Sequence, residues 1–332
     1  MPPRDKISLT DGVTRPKLIV TVDTEEEFDW RQPFSRNAVS VRHMKSQRKG
    51  QEIFERYGVR PIYLVDYAIA SNERGFRELA EWFADGRCEL GTHLHPWINP
   101  PFDEEVSAYN SYAGNLPYEV ERAKLTRLTD IIEENLRCRS RVYRAGRYGI
   151  GPMTSAILDD LGYEIDTSIV PFTDFTSDGG PDFTASPADP FWFGPGRGLL
   201  EIPLTVGWCG QLRAHGDILQ RKLFSDVGMK LHVPGVFARL GLLERIRLTP
   251  EGTVFADMKR LVDTLLTMGT RTFVLSYHSP SLEPGNTPYV RDAAELEAFL
   301  ARIDKFCDYF FGACGGVASS LQDVRLSLMA DG

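Results

Sequence analysis

The alternation of short apolar segments with amphipathic segments of helical period constrains the fold of this chain more than any other feature. Residues 17–23 and 61–66 are apolar runs rich in β-branched residues, whereas segments such as 72–85 and 118–136 have helical period. Uninterrupted apolar runs predict strands that are buried on both faces. Because such strands alternate with helices, we predict an α/β fold, either a parallel βα barrel or a doubly wound sheet.

The length of 332 residues allows one large core or two smaller ones. We favour a single domain over residues 1–332, in which residues 1–16 are flexible. Two segments, 97–117 and 171–198, are too rich in Pro, Asn, Ser, Gly and Asp for regular structure. Because loops of this length are usually functional or disordered, we predict that both border the substrate.

The C-terminal half yields three further predictions of secondary structure. Residues 216–243 form a helical stretch, and residues 249–268 form a helix that is capped by Thr249 with Pro250 at its first position. Residues 272–277 form a strong strand that ends at His278.

Charge and composition exclude several classes of protein. The formal net charge is −8 and there is no long basic run, which argues against binding to nucleic acid. No apolar run approaches about 18 residues, and no apolar leader opens the chain, so we predict a cytoplasmic protein without a membrane span. The five cysteines include no Cys-X-X-Cys pair, which argues against a disulfide framework or a thiolate metal site.

Two of the six histidines, His93 and His95, stand one residue apart just after a short apolar segment. In an extended segment residues i and i+2 point to the same side, so both imidazoles can reach one point. Neutral imidazole is the commonest metal ligand in proteins. The pattern predicts a metal site, and the alternative is a pair of histidines that only form hydrogen bonds in a loop.

Polar side chains stand at or just after the carboxyl ends of five predicted strands. They are Asp23, His93, Arg144, Asp166 and His278. In both candidate folds ligands bind beyond these ends. Carboxylates and imidazoles together bind zinc and similar ions, a second carboxylate can act as a base, and a separate histidine can protonate a leaving group. Each group alone also has a structural interpretation, as a solvated acidic turn, a buried histidine or an ion pair.

Four short motifs occur in the order TVDTE at 21–25, ELGTH at 89–93, YRAGRYG at 143–149 and LSYH at 275–278. They resemble the motifs of the polysaccharide deacetylase (NodB-homology) family, and the segment HLHPW at 93–97 resembles one bacterial branch of it. The resemblance implies a distorted (β/α)7-type barrel that removes an N-acyl group, usually acetyl, from an amino sugar. It also implies a divalent metal, with zinc expected first and cobalt, manganese or nickel as alternatives.

The resemblance assigns roles to residues of the predicted strand ends. Asp23 corresponds to the catalytic base, Arg144 to the arginine that orients the base, and His278 to the histidine that protonates the leaving amine. Asp166 lies where an acid of the family orients that histidine. We also expect the backbone N–H of Tyr148, next to the arginine turn, to face the oxyanion.

The expected metal ligands depart from the family pattern. His93 corresponds to the first metal histidine, but Thr24 stands in place of the metal-binding aspartate and Trp97 in place of the second histidine. We expect Glu25 and His95 to replace them, because the longer Glu25 side chain can reach back and His95 is the obvious substitute nearby.

The two irregular segments supply the expected substrate contacts. Trp97, Tyr112 and Trp192 can stack on a sugar ring, or the two segments can pack on each other and close the cleft to polymers. The expected partner is a small molecule or oligosaccharide with an N-acyl group, and the oligomeric state is not predicted. Two further functions remain open from the sequence, a non-catalytic carbohydrate-binding protein on the same barrel and another metal-dependent amidohydrolase.

Overall fold

The main sheet of the protein is a curled half-barrel that helices cover. The computed structural model describes residues 15–29 and 32–330. Within these residues the strands are β1 (Lys17–Thr24), β2 (Ile62–Val65), β3 (Glu89–Leu94), β4 (Val142–Ala145), β5 (Ile165–Asp166), β6 (Phe191–Phe193), β7 (Leu199–Glu201), β8 (Val206–Cys209), β9 (Glu244–Arg247), β10 (Thr272–His278) and β11 (Val317–Ala318). The helices are α1 (Arg48–Arg56), α2 (Tyr67–Ala70), α3 (Glu73–Ala84), α4 (Tyr118–Leu136), α5 (Thr154–Asp160), α6 (Gly216–Leu223), α7 (Asp226–Lys230), α8 (Val233–Arg239), α9 (Phe255–Thr267), α10 (Ala293–Asp308) and α11 (Leu321–Ala330).

The order of the strands in the main sheet is β10-β1-β2-β3-β4-β5-β7-β6. All neighbours from β10 to β7 pair in parallel, β6 is antiparallel to β7, and β11 pairs with β1. This parallel run confirms the predicted α/β class and the distorted barrel. Strands β8 and β9 form a separate antiparallel hairpin.

Alternating side chains on β1 separate two apolar layers. Leu18, Val20 and Val22 belong to a large cluster with buried residues of α1, α3, α4, α9 and α10. Ile19 points to the other face and packs in a cluster that includes buried residues of α11. Asp23 continues this inner face toward the carboxyl end of β1, so the polar strand ends lie beyond the inner apolar layer.

The helix predicted at 249–268 begins later than the sequence indicated. Asn72 caps α3 as its position suggests, through a hydrogen bond from the N–H of Arg74 at 3.0 Å. Thr249 does not cap α9, because the Thr249 hydroxyl instead accepts the N–H of Glu251 at 3.1 Å and α9 starts only at Phe255. Residues 249–254 therefore form a loop that carries the Glu251 side chain.

The helical stretch predicted at 216–243 is divided into α6, α7 and α8. His232, with a φ of 53°, separates α7 from α8. The three helices lie between β8 and β9, two strands that the sequence did not predict. Trp208 and Leu243, at the two sides of this insertion, share an apolar cluster with Phe224.

The two irregular segments pack on each other. Residues 97–117 contain only a short 3₁₀ turn, whereas 171–198 also hold β6, which the sequence did not predict. The side-chain amide of Asn115 donates to the carbonyl oxygen of Gly179 at 2.8 Å, which joins the two segments. Mutual packing, one of the two predicted alternatives, is therefore present in this structure.

The prediction of a flexible N-terminus concerns residues that lie mostly outside the described part of the chain. Within it, Arg15 donates to the carbonyl oxygen of Gly315 at 2.8 Å. Among the described residues, no helix combines the length and the apolar character that crossing a bilayer requires.

Lys124 on α4 anchors the start of the first irregular segment. The ammonium group donates to the carbonyl oxygens of Pro96, Asn99 and Pro101 at 3.0, 2.6 and 2.5 Å, and it pairs with Glu104 at 2.9 Å. The Lys124 side chain is fully buried. A buried cation requires partners of this kind, so the segment and the helix stabilise each other.

Lys124→Met should destabilise the protein strongly, because it keeps an aliphatic chain but leaves Glu104 buried without a cation. We expect a loss of about 3–5 kcal/mol in the free energy of unfolding, measured by urea denaturation. Lys259→Met is the control, since Lys259 forms an exposed pair with Asp263 within α9 and its removal should cost less than about 1 kcal/mol. Equal losses in the two variants would contradict the anchoring role.

Candidate active site

The parallel register brings polar strand ends together on one face. Asp23 is the partner of His278 across β1 and β10, and His93 is the partner of Arg144 across β3 and β4. Partners in a parallel pair point to the same face of the sheet. Accordingly, Asp23 Oδ2 lies 3.8 Å from His278 Nε2.

Glu25, His93 and His95 form a compact group of potential metal ligands. Glu25 Oε2 lies 3.4 Å from Nε2 of each histidine, and the ligand atoms of the group all lie within 4.8 Å of one another. All three residues are buried. The backbone N–H of Glu25 donates to Ser279 Oγ at 3.2 Å, which fixes this acid beside the end of β10.

Hydrogen bonds at the other ring nitrogens leave both Nε2 atoms available to a cation. His93 Nδ1 is 3.1 Å from the carbonyl oxygen of Arg144, and His95 Nδ1 is 2.8 Å from Glu26 Oε2. Both partners are acceptors, so each Nδ1 carries a hydrogen and each Nε2 of a neutral ring has a lone pair. Burial lowers the pKa of His95, which favours the neutral ring. Two lone pairs that face one carboxylate oxygen attract a divalent cation, and this donor set fits zinc or a similar ion.

Glu26, Asp66 and His95 form a second group of potential ligand atoms, but hydrogen bonds already occupy its oxygens. Glu26 Oε1 accepts from Trp97 Nε1 at 2.9 Å, and Asp66 accepts the N–H groups of Glu26 and Ile69 at 2.8 and 2.7 Å. Burial raises the pKa of Glu26 to about 8 and the pKa of Asp66 well above its usual range. Both carboxyl groups are therefore protonated at neutral pH, and Glu26 supports the His95 ring through its contact with Nδ1.

Arg144 is fully buried and binds Asp23. The Arg144 Nη1 group also donates to the hydroxyls of Thr21 and Ser276 at 3.1 and 3.0 Å, and Nε donates to the carbonyl oxygen of Thr167 at 2.9 Å. Burial alone would raise the pKa of Asp23, but the charge of Arg144 holds it well below its usual range. Asp23 is therefore ionised throughout the neutral range.

Glu251 holds the imidazole of His278. Glu251 Oε2 lies 2.7 Å from His278 Nδ1, and Oε1 accepts the His278 backbone N–H at 3.1 Å and the Ser281 hydroxyl at 2.5 Å. Burial alone would lower the pKa of His278, but the charges of Glu251 and Glu25 raise it well above its usual value. His278 is therefore protonated at neutral pH, with its second nitrogen toward Asp23.

Asp166 does not occupy the position beside His278 Nδ1 that the sequence assigned to it. Asp166 is the register partner of Tyr143, which belongs to the helix-covered cluster, so its side chain points to that face of the sheet. There it accepts a hydrogen bond from Ser168 and interacts with Glu201, and burial raises the pKa of both carboxyls. The acid pair joins β5 to β7, and Glu251 holds the imidazole of His278 instead.

The aromatic residues that were expected to stack on a sugar are largely covered. Trp97 is 3% exposed and stacks on His95 with 4.3 Å between ring centroids, and Tyr112 is 1% exposed with the guanidinium of Arg147 4.1 Å from its centroid. Trp192 packs against the apolar cluster that contains α11. In this conformation neither Trp97 nor Tyr112 presents an open ring face to a ligand.

Tyr148 lies next to the site in a left-handed backbone conformation. Arg147 and Tyr148 have φ angles of 54° and 61°, which cost non-glycine residues about 1–3 kcal/mol each. Such conformations concentrate at functional sites. The Tyr148 hydroxyl accepts a hydrogen bond from Arg247, a residue of the β8–β9 hairpin that the sequence did not single out.

Sequence reasoning missed Glu26, Asp66 and Glu251 as members of the site. Asp66 follows an apolar strand, the same signal that identifies Asp23, and Glu26 lies in the acidic stretch 23–29 directly after the first predicted strand. Glu251 was placed in a helix, although Gly252 directly after it was a signal for a loop. Gly252 indeed has a φ of 68°, which favours glycine.

Two solved structures share the fold. A candidate polysaccharide deacetylase from Mycobacterium smegmatis is 16% identical, with a TM-score of 0.55 over 97% of this chain and 93% of that chain. A 4-alpha-glucanotransferase from Thermococcus litoralis is 12% identical, with a TM-score of 0.54 over 96% of this chain but only 40% of that chain. No protein-family model and no curated protein sequence matches the chain.

These similarities confirm, at the level of the fold, the resemblance to polysaccharide deacetylases that the motifs indicated. At identities this low they show the fold alone. Because one barrel can host unrelated activities, the chemistry has to be inferred from the residues of the site.

Glu25→Ala and His95→Ala should abolish metal binding, because each removes a donor from a group of three. Glu26→Ala should weaken zinc binding by roughly 10- to 100-fold, because it removes the carboxyl oxygen that accepts from His95 Nδ1 and orients the ring, without removing a ligand. Metal content after purification and competitive zinc titration measure both effects. His215→Ala, at an exposed histidine, is the control. Full zinc occupancy in both Glu25→Ala and His95→Ala would refute the assignment.

Proposed function

We propose that this protein is a metal-dependent hydrolase that removes an N-acyl group, such as acetyl, from an amino sugar or a related carbohydrate. The observation that carries the proposal is the placement of Asp23, which is bound to Arg144, 3.8 Å from His278, which is held by Glu251. Against the effect of burial, Arg144 lowers the pKa of Asp23 and Glu251 raises the pKa of His278, which favours an ionised base beside a protonated acid. A group of potential metal ligands that includes Glu25 lies beside them. Metal-assisted amide hydrolysis requires a base, an acid and a Lewis acid at one place.

Glu25, His93 and His95 are the residues that would hold the ion, with zinc preferred for this donor set. A divalent cation in such a site supplies a Lewis acid that polarises a carbonyl group and lowers the pKa of water to about 7. The protein contributes the orientation, because Glu26 and the carbonyl oxygen of Arg144 fix the two imidazoles.

Asp23 and His278 divide the proton transfers between them. Asp23, kept ionised by Arg144, is placed to accept a proton from an attacking water, and a bound cation would make that water acidic enough for a base of low pKa. His278 donates its Nε2 proton to the leaving amine while Glu251 stabilises the imidazolium. Environments that push two pKa values apart are the usual basis of such a division.

The backbone N–H of Tyr148 is our candidate for binding the oxyanion. Two consecutive left-handed residues, Arg147 and Tyr148, turn the backbone at the end of β4. Gly146 allows this turn to approach the metal group, because a Cβ atom there would lie 2.3 Å from Cδ2 of His95. The turn and the ligand group are therefore packed directly together.

Glycosyl transfer, the activity of the second similar structure, fits the site less well than amide hydrolysis. Retaining glycoside chemistry uses a carboxylic acid and a carboxylate about 5–5.5 Å apart. Here the proton donor opposite Asp23 is a histidine, and the nearby Glu25 oxygen faces two imidazole nitrogens. An imidazole-rich group of this kind is suited to hold a cation.

Asp23→Asn and His278→Asn should each lower kcat/KM for deacylation by roughly 10²- to 10⁴-fold, because each removes one partner of general acid–base catalysis. The measurement is release of acetate from small N-acetylated amino sugars with added zinc, cobalt or manganese. His215→Asn serves as the control and should retain activity. A rate that a chelator leaves unchanged would contradict the proposed mechanism.

Glu251→Gln should move the alkaline limb of the kcat/KM profile to lower pH. The negative charge of Glu251 raises the pKa of His278, so its removal lowers that pKa, and the protonated acid is lost at a lower pH. Glu251→Asp keeps the charge and should leave the limb closer to that of the wild type. An alkaline limb at the same pH in Glu251→Gln and in the wild type would show that His278 is not the acid.

A further inference from the structure

The β8–β9 hairpin carries two arginines, Arg245 and Arg247, on one face. They stand two residues apart on β9 and pair in register with Trp208 and Val206 of β8. Residues at this spacing in a strand point to the same side. Both arginines are partly buried.

Neither arginine forms an ion pair within 4.0 Å in the part of the chain that the structure describes. Arg245 donates to the carbonyl oxygen of Phe172, and its guanidinium lies 4.5 Å from the ring centroid of Phe224. Arg247 donates to the Tyr148 hydroxyl, and its buried Nε has no hydrogen-bond partner among the described residues. A partly buried cation with unused donors is costly unless a ligand completes it.

The surroundings of the two arginines place this pair beside the proposed active site. Burial opposes the charge of Arg247, but Tyr148, Asp23 and Glu251 raise its pKa, so these groups lie within electrostatic range. Burial alone lowers the pKa of Arg245, with no acid to offset it. Arg247 therefore lies close to the groups that are proposed to react, whereas Arg245 has no acidic partner among the described residues.

We propose that Arg245 and Arg247 bind an oxyanion, a phosphate or a carboxylate, that the substrate carries in addition to its N-acyl group. Guanidinium groups present parallel N–H donors that match the oxygens of both anions. A chain with a net charge of −8 repels anionic ligands in general, so a specific pair of cations is needed to bind one. The statement that the same substrate carries a reacting N-acyl group rests on the proposed function, whereas the binding of an anion by the two arginines does not.

Calorimetric titration of the full-length protein, with zinc present, tests this inference. The probes are inorganic phosphate, N-acetylglucosamine, N-acetylglucosamine 6-phosphate and N-acetylmuramic acid. We expect at least one of the two charged sugars to bind roughly 10- to 100-fold more tightly than the neutral one, with Arg245→Gln and Arg247→Gln each losing most of that difference. The phosphorylated and the carboxylated sugar distinguish the two anions.

Arg74→Gln is the matched control, because it removes the same charge from an exposed position on α3 and should keep the preference. Retained zinc binding and unchanged thermal unfolding show that the variants are folded. Equal binding of neutral and charged sugars, an unchanged preference in Arg245→Gln and Arg247→Gln, or failure of all anionic probes to bind would overturn the inference. An arginine-dependent preference without deacylation of any probe would support the anion site and contradict the proposed hydrolase.

Discussion

The buried guanidinium of Arg144 is the interaction on which the rest of the site depends. Taking its charge and that of Asp23 out of water costs several kcal/mol, and good geometry with additional hydrogen bonds is needed to offset that cost. The hydroxyls of Thr21 and Ser276 and both oxygens of Thr167 supply those bonds. Because these partners belong to β1, β10 and the chain after β5, the same bonds that hold Arg144 beside Asp23 also hold the strand ends together.

Buried carboxyls in this site have different protonation states because only some of them face a permanent cation. Asp23 is next to Arg144 and stays ionised, whereas Glu26 and Asp66 are next to each other and hold a proton. The same rule explains His278, which gains a proton where acids surround it. Burial amplifies each of these effects, since it weakens solvent screening. The arrangement therefore gives the proposed base, the proposed acid and the groups that support the proposed ligands different protonation states with a small set of residue types.

The sequence was sufficient for features that follow from strand periodicity and not for features that depend on tertiary contacts. Asp23, His93 and His278 could be placed together because the carboxyl ends of parallel strands meet at one edge of a sheet. Glu251 could not, because its position results from a loop held by hydrogen bonds to residues far along the chain. The orientation of Trp97 could not be predicted either, because an aromatic residue in a proline-rich segment can stack on a ligand or be buried against other side chains. The hairpin of β8 and β9 was not predicted, because three helices separate its two strands in the sequence and short-range turn signals are therefore absent.

The departure from the expected ligand spacing can be explained by packing. His93 and His95 reach one point because they are two residues apart in extended chain, so a ligand four residues after His93 is not required. That position holds Trp97, whose ring stacks on His95 and whose Nε1 donates to Glu26 Oε1. The other oxygen of the Glu26 carboxyl group fixes His95. Gly146 leaves the space that the His95 ring occupies. The tryptophan and the glycine therefore belong to the proposed metal site as much as its ligands do, although neither offers a ligand atom from its side chain.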